Sequence, residues 1–236
     1  MLLAVDTSTP QIGLALYDGT QVLAESLWTS KTRHTVELAP AVAGMLAHSG
    51  VKIEQIKALG VAVGPGSFTS LRVGLSFVKG LAFAQFIPTI GINTLDIVAG
   101  SQPASSLPLV CILPAGRGRL AVCWYASKAG WLAQGSPEIM TAETLAEKIT
   151  LNSVVCGDLN AAERSTLKKN EHIQLVSPAL STRRPAILAE LAYIRWQSGN
   201  VDNISSLAPI YLHLAEPIPD GNSSASQAGV SITSLA

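Results

Sequence analysis

The chain has 236 residues, and its 16 lysines and arginines balance 16 aspartates and glutamates, so the formal net charge is zero. This balance argues against a dedicated nucleic-acid-binding protein, because phosphate recognition normally requires an excess of basic residues. Apolar residues make up 48% of the chain and charged residues only 14%, which excludes a largely disordered protein. The length predicts one large domain or two small ones, and the apolar surplus indicates a surface that a partner covers.

The compartment is predicted from the cysteines and from the first residues. The chain has an odd number of cysteines, and none of them shows C-x-x-C spacing: they are Cys111, Cys123 and Cys156. This favours buried thiols in a reducing compartment over disulfides. Residues 1–5 lead to Asp6 without the basic and long apolar regions of a signal peptide. No stretch approaches the roughly 18 apolar residues of a membrane span. We therefore expect a cytoplasmic protein without membrane contact.

The first hundred residues alternate between strand patterns and amphipathic helix patterns. Three apolar or alternating runs, two of them joined by the hairpin signal Asp18-Gly19, predict an antiparallel meander. Apolar residues at helical spacing then predict two amphipathic helices, and Ser67 or Thr69 is a suitable N-cap for the second. The predicted strands span 2–6, 12–17, 21–28, 59–63 and 87–92, and the predicted helices span 35–48, 69–86 and 94–99.

A serine- and proline-rich stretch at 101–108 predicts the boundary to a second half. Whether the two halves are a diverged duplication stays open, because the second shows no convincing second hairpin. The last residues, 220–236, are rich in serine, glycine and alanine and are predicted to be disordered. In the second half the predicted strands span 109–113, 120–125 and 153–156, and the predicted helices span 141–149 and 185–196.

The order β-β-β-α-β-α-β in the first half is typical of the ribonuclease-H-like unit that actin-like ATPases and sugar kinases repeat. We therefore predict an α/β protein of the actin-like, ribonuclease-H-like (ASKHA) fold, whose two lobes carry mixed β-sheets flanked by helices. The predicted units are an N-terminal lobe with the interface helices at 1–100, a C-terminal lobe at 101–219 and the tail at 220–236.

Two loops that follow predicted strands are candidates for facing a phosphate. The first offers a carboxylate and hydroxyls that orient a metal and a nucleotide in actin-like folds, and the second opens a helix whose N–H groups attract anions. Each is equally an ordinary polar or capped turn. A small-molecule kinase or ATPase of the actin-like class is therefore the alternative function, although neither a second phosphate loop nor an adenosine-binding glycine pair is recognisable. The candidate residues are Asp6, Ser8, Thr9, Gly64, Gly66 and Ser67.

No residue pattern predicts catalysis or metal binding. His34 stands alone, and Leu38 occupies the position four residues later where a second imidazole would complete a metal pair on one helix face. Ser67 does not lie in a G-x-S-x-G nucleophile elbow. A metallopeptidase therefore lacks its chemistry here, and we expect neither catalytic residues nor a metal site.

The string V-G-P-G-S-F-T-S-L-R-V-G-L-S at 63–76, followed by K-G-L-A at 79–82, closely resembles the signature of the TsaB (YeaZ) family. Residues 3–9, 91–95 and 208–212 match further family positions. The resemblance implies a non-catalytic subunit of the complex that forms N6-threonylcarbamoyladenosine at position 37 of tRNAs reading A-starting codons. The implied partners are a TsaD-like catalytic subunit and a TsaE-like ATPase.

The resemblance has further implications for assembly and cofactors. It implies a homodimer in the absence of the partner, and contact with tRNA only indirectly through the complex. It implies no cofactor on this chain alone, with ATP or ADP, where present, at the interface of the complex.

The resemblance also implies that the two long N-terminal helices form the partner interface. The residues support this prediction, because small and apolar positions such as Gly74, Phe77 and Gly80 exceed what one core stripe requires. Phe68 and Arg72 have the aromatic and arginine character of interface hot spots. The predicted interface residues are His34, Leu38, Val42, Phe68, Leu71, Arg72, Leu75 and Lys79.

Overall fold

The computed structural model describes residues 1–30, 33–128 and 130–212. Within these ranges, strands form two sheets and helices cover the faces of both. The tail predicted at 220–236 lies outside the described residues. The strands are β1 (Leu2–Asp6), β2 (Gln11–Tyr17), β3 (Val22–Thr29), β4 (Ala58–Gly64), β5 (Thr89–Asn93), β6 (Leu109–Pro114), β7 (Leu120–Ser127), β8 (Trp131–Ala133), β9 (Glu138–Met140), β10 (Ser153–Gly157) and β11 (Ile173–Leu175). The helices are α1 (His34–His48), α2 (Phe68–Gln85), α3 (Thr94–Gly100), α4 (Ala142–Lys148), α5 (Ala161–Leu167) and α6 (Pro185–Gln197).

The first sheet has the strand order β3-β2-β1-β4-β5. Its first three strands are antiparallel, which confirms the predicted meander, and β4 and β5 join in parallel. Side chains of β1 alternate between the two faces: Leu3 and Val5 pack in the core below α1 and α2, and Leu2 and Ala4 pack against α6. Because both faces are buried, β1 and β4 are continuous apolar runs in the sequence.

Small residues bring α6 close to the first sheet. A Cβ atom added at Gly60 of β4 would lie 2.8 Å from the Cβ of Ala192 on α6. Ala4, Ala15 and Ala189 belong to the same buried cluster. This close approach places the residues just before α6 beside the ends of the strands of the first sheet.

The second sheet repeats the topology of the first. Its order is β8-β7-β6-β10-β11, with β9 pairing on β7. The neighbours β6, β7 and β8 are antiparallel, and β6, β10 and β11 are parallel. Apart from β9, which the second half adds, both halves therefore run through three antiparallel strands and then helix, strand, helix, strand and helix. This repetition supports the duplication that the sequence left open, and it confirms the predicted α/β, actin-like class.

The last helix of each half packs on the sheet of the other half. Helix α3 of the first half contributes Leu95 and Val98 to the core of the second sheet, whereas α6 of the second half packs on the first sheet. The predicted division at residue 100 stays a prediction. In the folded chain, a helix from each side of this division packs on the sheet of the other side. In the described part of the chain, no helix combines the length and the apolarity needed to cross a bilayer.

Candidate functional site

Helices α1 and α2 lie side by side over the first sheet. The Ser67 hydroxyl caps α2 by accepting a hydrogen bond from the Ser70 N–H, as predicted. The apolar stripes of the two helices face the sheet and each other, and Leu38 of α1 and Leu75 of α2 share one buried core with β1 and β4. The opposite sides of both helices face outwards.

A groove of about 450 Å³ runs between these outer sides. Its middle is formed by Val73, Ser76 and Phe77 of α2, with Thr35 and Ala39 of α1 opposite. All the lining residues belong to α1 and α2. Among the described residues, the C-terminal half therefore does not close the groove.

Large apolar side chains are exposed on both helices. Phe68 is 52% exposed at one end of α2, Phe83 is 61% exposed near the other end, and Val36 on α1 is 63% exposed. Phe68 also lines the groove, and an exposed aromatic side chain beside an apolar groove is typical of an interaction surface in a globular protein.

The structure divides the eight predicted interface residues into two sets. Phe68 and Arg72 are exposed and Lys79 is half-buried, so these three offer surface to a partner. The structure corrects the exposure expected of the other five: they are buried in the core between the helices and the sheet, where they set the spacing of α1 and α2, and of these Leu38 also lines the groove. These buried residues are His34, Leu38, Val42, Leu71 and Leu75.

A polar and aromatic cluster lies at the N-terminal end of the groove. The Arg72 guanidinium carbon lies 3.7 Å from the centre of the Phe68 ring, and Arg72 Nε donates to the Tyr211 hydroxyl at 3.1 Å. The rings of Phe68 and Tyr211 have centroids 4.8 Å apart. No sequence pattern predicted Tyr211 at this position. The resemblance to the family at residues 208–212 was the signal that could have indicated it.

The first candidate phosphate loop is occupied by its own protein groups. Asp6 Oδ1 accepts from the backbone N–H of Ser8 at 2.8 Å and from its hydroxyl at 2.6 Å. Asp6 Oδ2 accepts from Arg183 Nε at 2.5 Å. The Thr9 hydroxyl accepts from Arg183 Nη2 at 2.8 Å. Asp6, Ser8 and Thr9 are all buried.

The second candidate loop packs directly against the first. The N–H of Ser67 donates to the carbonyl of Ser8 at 2.7 Å, and a Cβ at Gly66 would lie 2.1 Å from the same carbonyl oxygen. Gly64 takes a positive φ and approaches the Ile210 carbonyl, leaving no room for a side chain. The structure therefore brings the two loops together, with their glycines allowing contact between backbones.

These groups do not fit the metal and nucleotide phosphates of the actin-like ATPases. Both oxygens of Asp6 already accept hydrogen bonds, one of them from a guanidinium. Among the described residues, no group of three His, Cys, Asp or Glu side chains is arranged to hold a metal ion. His34 Nε2 instead lies 3.1 Å from the Thr9 carbonyl oxygen.

A second cavity, of about 610 Å³, opens between the two lobes. The Gly66–Phe68 turn borders it on one side, and Ala115, Arg119 and Ile139 of the second half border it on the other. Arg119 Nε is buried without a hydrogen-bond partner among the described residues.

The protein-family model described as TsaD, tRNA N6-adenosine threonylcarbamoyltransferase, matches residues 21–145, just over half of the chain. The chain belongs to the TsaB/TsaD family. Within it, the tRNA threonylcarbamoyladenosine biosynthesis protein TsaB of Bacillus subtilis is 29% identical over 232 residues, which cover 91% of this chain and 95% of that protein. The Haemophilus influenzae TsaB is 40% identical over 99 residues, 42% of this chain and 41% of that protein.

This TsaB/TsaD family member also shares its fold with a solved structure. YeaZ from Pseudomonas aeruginosa superimposes with a TM-score of 0.72 at 22% identity, covering 89% of this chain and 99% of that one. At this identity the likeness concerns the fold alone, and it agrees with the two-sheet architecture described above.

Proposed function

We propose that the chain is a non-catalytic docking subunit in tRNA threonylcarbamoyladenosine biosynthesis and that the α1–α2 groove receives a TsaD-like catalytic subunit. The observation that carries this proposal is the open groove between two helices, bordered by exposed aromatic and arginine side chains. The names of the TsaB relatives support the pathway.

The chemistry of the groove suits a protein helix or helix pair. Val73 and Phe77 give it an apolar floor, and Phe68 and Arg72 at its end supply the residue types that dominate binding energy at interfaces. Tyr211 holds Arg72 in place before a partner arrives, which reduces the conformational entropy lost on binding. In the absence of the partner, a second copy of the chain uses the same groove as a homodimer.

Other subunits of the complex perform the modification itself. The carboxylate of Asp6 is engaged by Arg183, so the adenosine modification at position 37 of tRNAs reading A-starting codons is assigned to the TsaD-like subunit. A TsaE-like ATPase completes the complex, and tRNA is contacted through the complex. ATP or ADP, where it takes part, binds at a junction of subunits rather than to this chain alone.

The alternative, an actin-like kinase or ATPase, requires an Asp6 that can approach a metal-bound phosphate. Calorimetric titration of the isolated chain with Mg-ATP separates the two functions. Binding accompanied by turnover would favour the alternative, and the docking function predicts no turnover.

Ser76→Arg tests the docking function. Ser76 is exposed in the middle of the groove, so an arginine there leaves the core untouched and must lose its hydration against an apolar partner surface. We expect the affinity for the TsaD-like protein of the same organism to fall by about 2–3 kcal/mol, roughly 30- to 150-fold. The melting temperature of the chain should stay within about 2 °C of the wild type.

The matched control is Ser165→Arg, which makes the same change at an exposed serine of α5 in the second lobe. This variant should bind the partner as tightly as the wild type. Equal affinity of the Ser76→Arg variant and the wild type would overturn the assignment of the groove.

A further inference from the structure

The last residues that the structure describes lie in the wall of the cleft between the lobes. After α6 the chain returns to the first sheet, where the Ile210 N–H donates to the Val63 carbonyl at 2.7 Å. Tyr211 and Leu212 then line the cleft cavity of about 610 Å³. Residues 213–236 therefore begin at the wall of this cavity.

The opposite wall of the cavity contains a cation that needs an acceptor. Arg119 lines this wall with Ala115 and Ile139, and its Nε is buried although no described residue accepts a hydrogen bond from it. A buried N–H is nearly always paired in a folded protein, because an unpaired one loses its hydration without compensation. The acceptor therefore comes from outside the described residues, and a carboxylate gives the strongest hydrogen bond to a guanidinium.

The sequence after Leu212 supplies a carboxylate within reach of Arg119. Residues 213–236 contain no lysine or arginine and two acidic residues, of which Glu216 comes first. Glu216 follows Leu212 by four residues, and four residues of extended chain reach about 13 Å, more than the roughly 10 Å across a compact cavity of about 610 Å³. The Glu216 carboxylate can therefore cross from the wall at Leu212 to the guanidinium.

The neighbours of Glu216 match the apolar part of the cavity. Pro217 and Pro219 disfavour a helix and favour extended backbone at the residues before them. In extended backbone, Leu214, Glu216 and Ile218 share one side of the segment. One carboxylate between two apolar side chains is complementary to a cavity with one arginine and apolar walls. These walls include Pro65, Phe68, Pro114, Ala121 and Ile139.

We propose that residues 213–219 fill the cleft between the lobes and that Glu216 pairs there with Arg119. The segment is an internal ligand: it gives the buried Nε its acceptor and keeps anions of other molecules away from the guanidinium. This inference concerns the isolated chain and does not depend on the docking function.

The Arg119 Nε–H resonance of the full-length, ¹⁵N-labelled chain tests the proposal. Arg119→Lys identifies this resonance by its loss from the spectrum. We expect the Nε–H proton of Arg119 to move upfield in Glu216→Gln, because a neutral amide accepts a weaker hydrogen bond than a carboxylate.

Thermal unfolding of full-length variants gives an independent measure. Arg119→Gln and Glu216→Gln should each lower the melting temperature by about 2–4 °C, because each removes the same charged hydrogen bond. The double variant should lose no more than either single variant. Arg117→Gln is the matched control, since Arg117 is exposed in the same turn, and its effect should simply add to that of Glu216→Gln.

Two results would overturn the proposal. One is an Arg119 Nε–H resonance that keeps its position in Glu216→Gln. The other is a double variant in which the losses of Arg119→Gln and Glu216→Gln add, or a Glu216→Gln protein that melts with the wild type, since either would mean that the two groups are not partners.

Discussion

Helix α2 contains two interior glycines, Gly74 and Gly80, whose surroundings differ completely. A Cβ at Gly74 would lie 2.3 Å from the Thr7 hydroxyl, whereas a Cβ at Gly80 would meet no atom within 4 Å. Because both positions are helical, replacing either glycine with alanine brings the same gain in helix propensity, about 1 kcal/mol. Gly74→Ala and Gly80→Ala therefore form a matched pair in which only the contact with the first loop differs.

The expected magnitudes follow from the contacts of Thr7. Its hydroxyl is buried and donates to the Ser70 carbonyl at 2.7 Å. Moving this hydroxyl aside leaves it without a partner, at about 1–3 kcal/mol, and crowding of Thr7 adds about 1 kcal/mol or more. After subtraction of the propensity gain, Gly74→Ala should destabilise the chain by about 1–3 kcal/mol. Gly80→Ala should stabilise it by about 1 kcal/mol.

Urea unfolding followed by circular dichroism measures both changes in unfolding free energy. The melting temperature should fall for Gly74→Ala and rise for Gly80→Ala, in each case by about 2–4 °C per kcal/mol. Thr7→Ala in the Gly74→Ala background should recover part of the loss, since it removes the atom that the new methyl group meets. If both glycine variants changed stability equally, the close contact between α2 and the first loop would be refuted. Gly80→Ala also tests the docking surface. A partner that packs closely on this face would meet the added methyl group and bind the variant less tightly, although the variant is the more stable protein.

Two predictions concern pH. Burial raises the pKa of Asp96 despite its hydrogen bond from the Tyr125 hydroxyl, so ionisation destabilises the fold as pH rises above the unfolded value of about 3.9. Asp96→Asn should accordingly gain unfolding free energy over the wild type between pH 4 and pH 7, and a pH-independent difference would contradict this. Although burial opposes it, hydrogen bonds from Arg184 and the Ala186 N–H hold the pKa of Glu25 below its ordinary value. Glu25→Gln should cost about 1 kcal/mol at pH 7, and denaturation curves should show this difference shrinking as the pH falls below the ordinary glutamate pKa of about 4.3.

The first half could be predicted from the sequence because its patterns are long and each has one physical interpretation. The meander followed from three apolar runs and the Asp18-Gly19 turn. Helix α2 followed from an apolar stripe over five turns and the Ser67 cap. In contrast, β8, β9 and β11 have three residues each, too few for a period of two to be distinguished from a loop. The seven-residue α5 was missed although α3 and α4 have the same length, because Leu167 is its one buried residue and it therefore has no apolar stripe.

The interface residues show where sequence patterns fail. An apolar residue at helical spacing belongs to the side that faces the core, which is where the structure buries Leu71 and Leu75. The outward side of α2 is marked instead by residues off that stripe, such as Ser76 and Phe83, which have no pattern of their own. Arg183 was also outside the reach of the sequence, because its partners Asp6 and Asp158 are 177 and 25 residues away along the chain.

The first candidate phosphate loop and the groove lie on two sides of α2. On its inner side, α2 contacts the first loop through Gly74 and through the Ser67 N–H, which donates to Ser8. Ser8 in turn donates twice to Asp6, whose other oxygen is held by Arg183. A rigid chain of contacts therefore runs from the buried guanidinium to the helix whose outer side forms the groove. Because a docking surface that is ordered beforehand loses less conformational entropy on binding, we expect the ion network around Arg183 to strengthen partner binding at a surface it never touches.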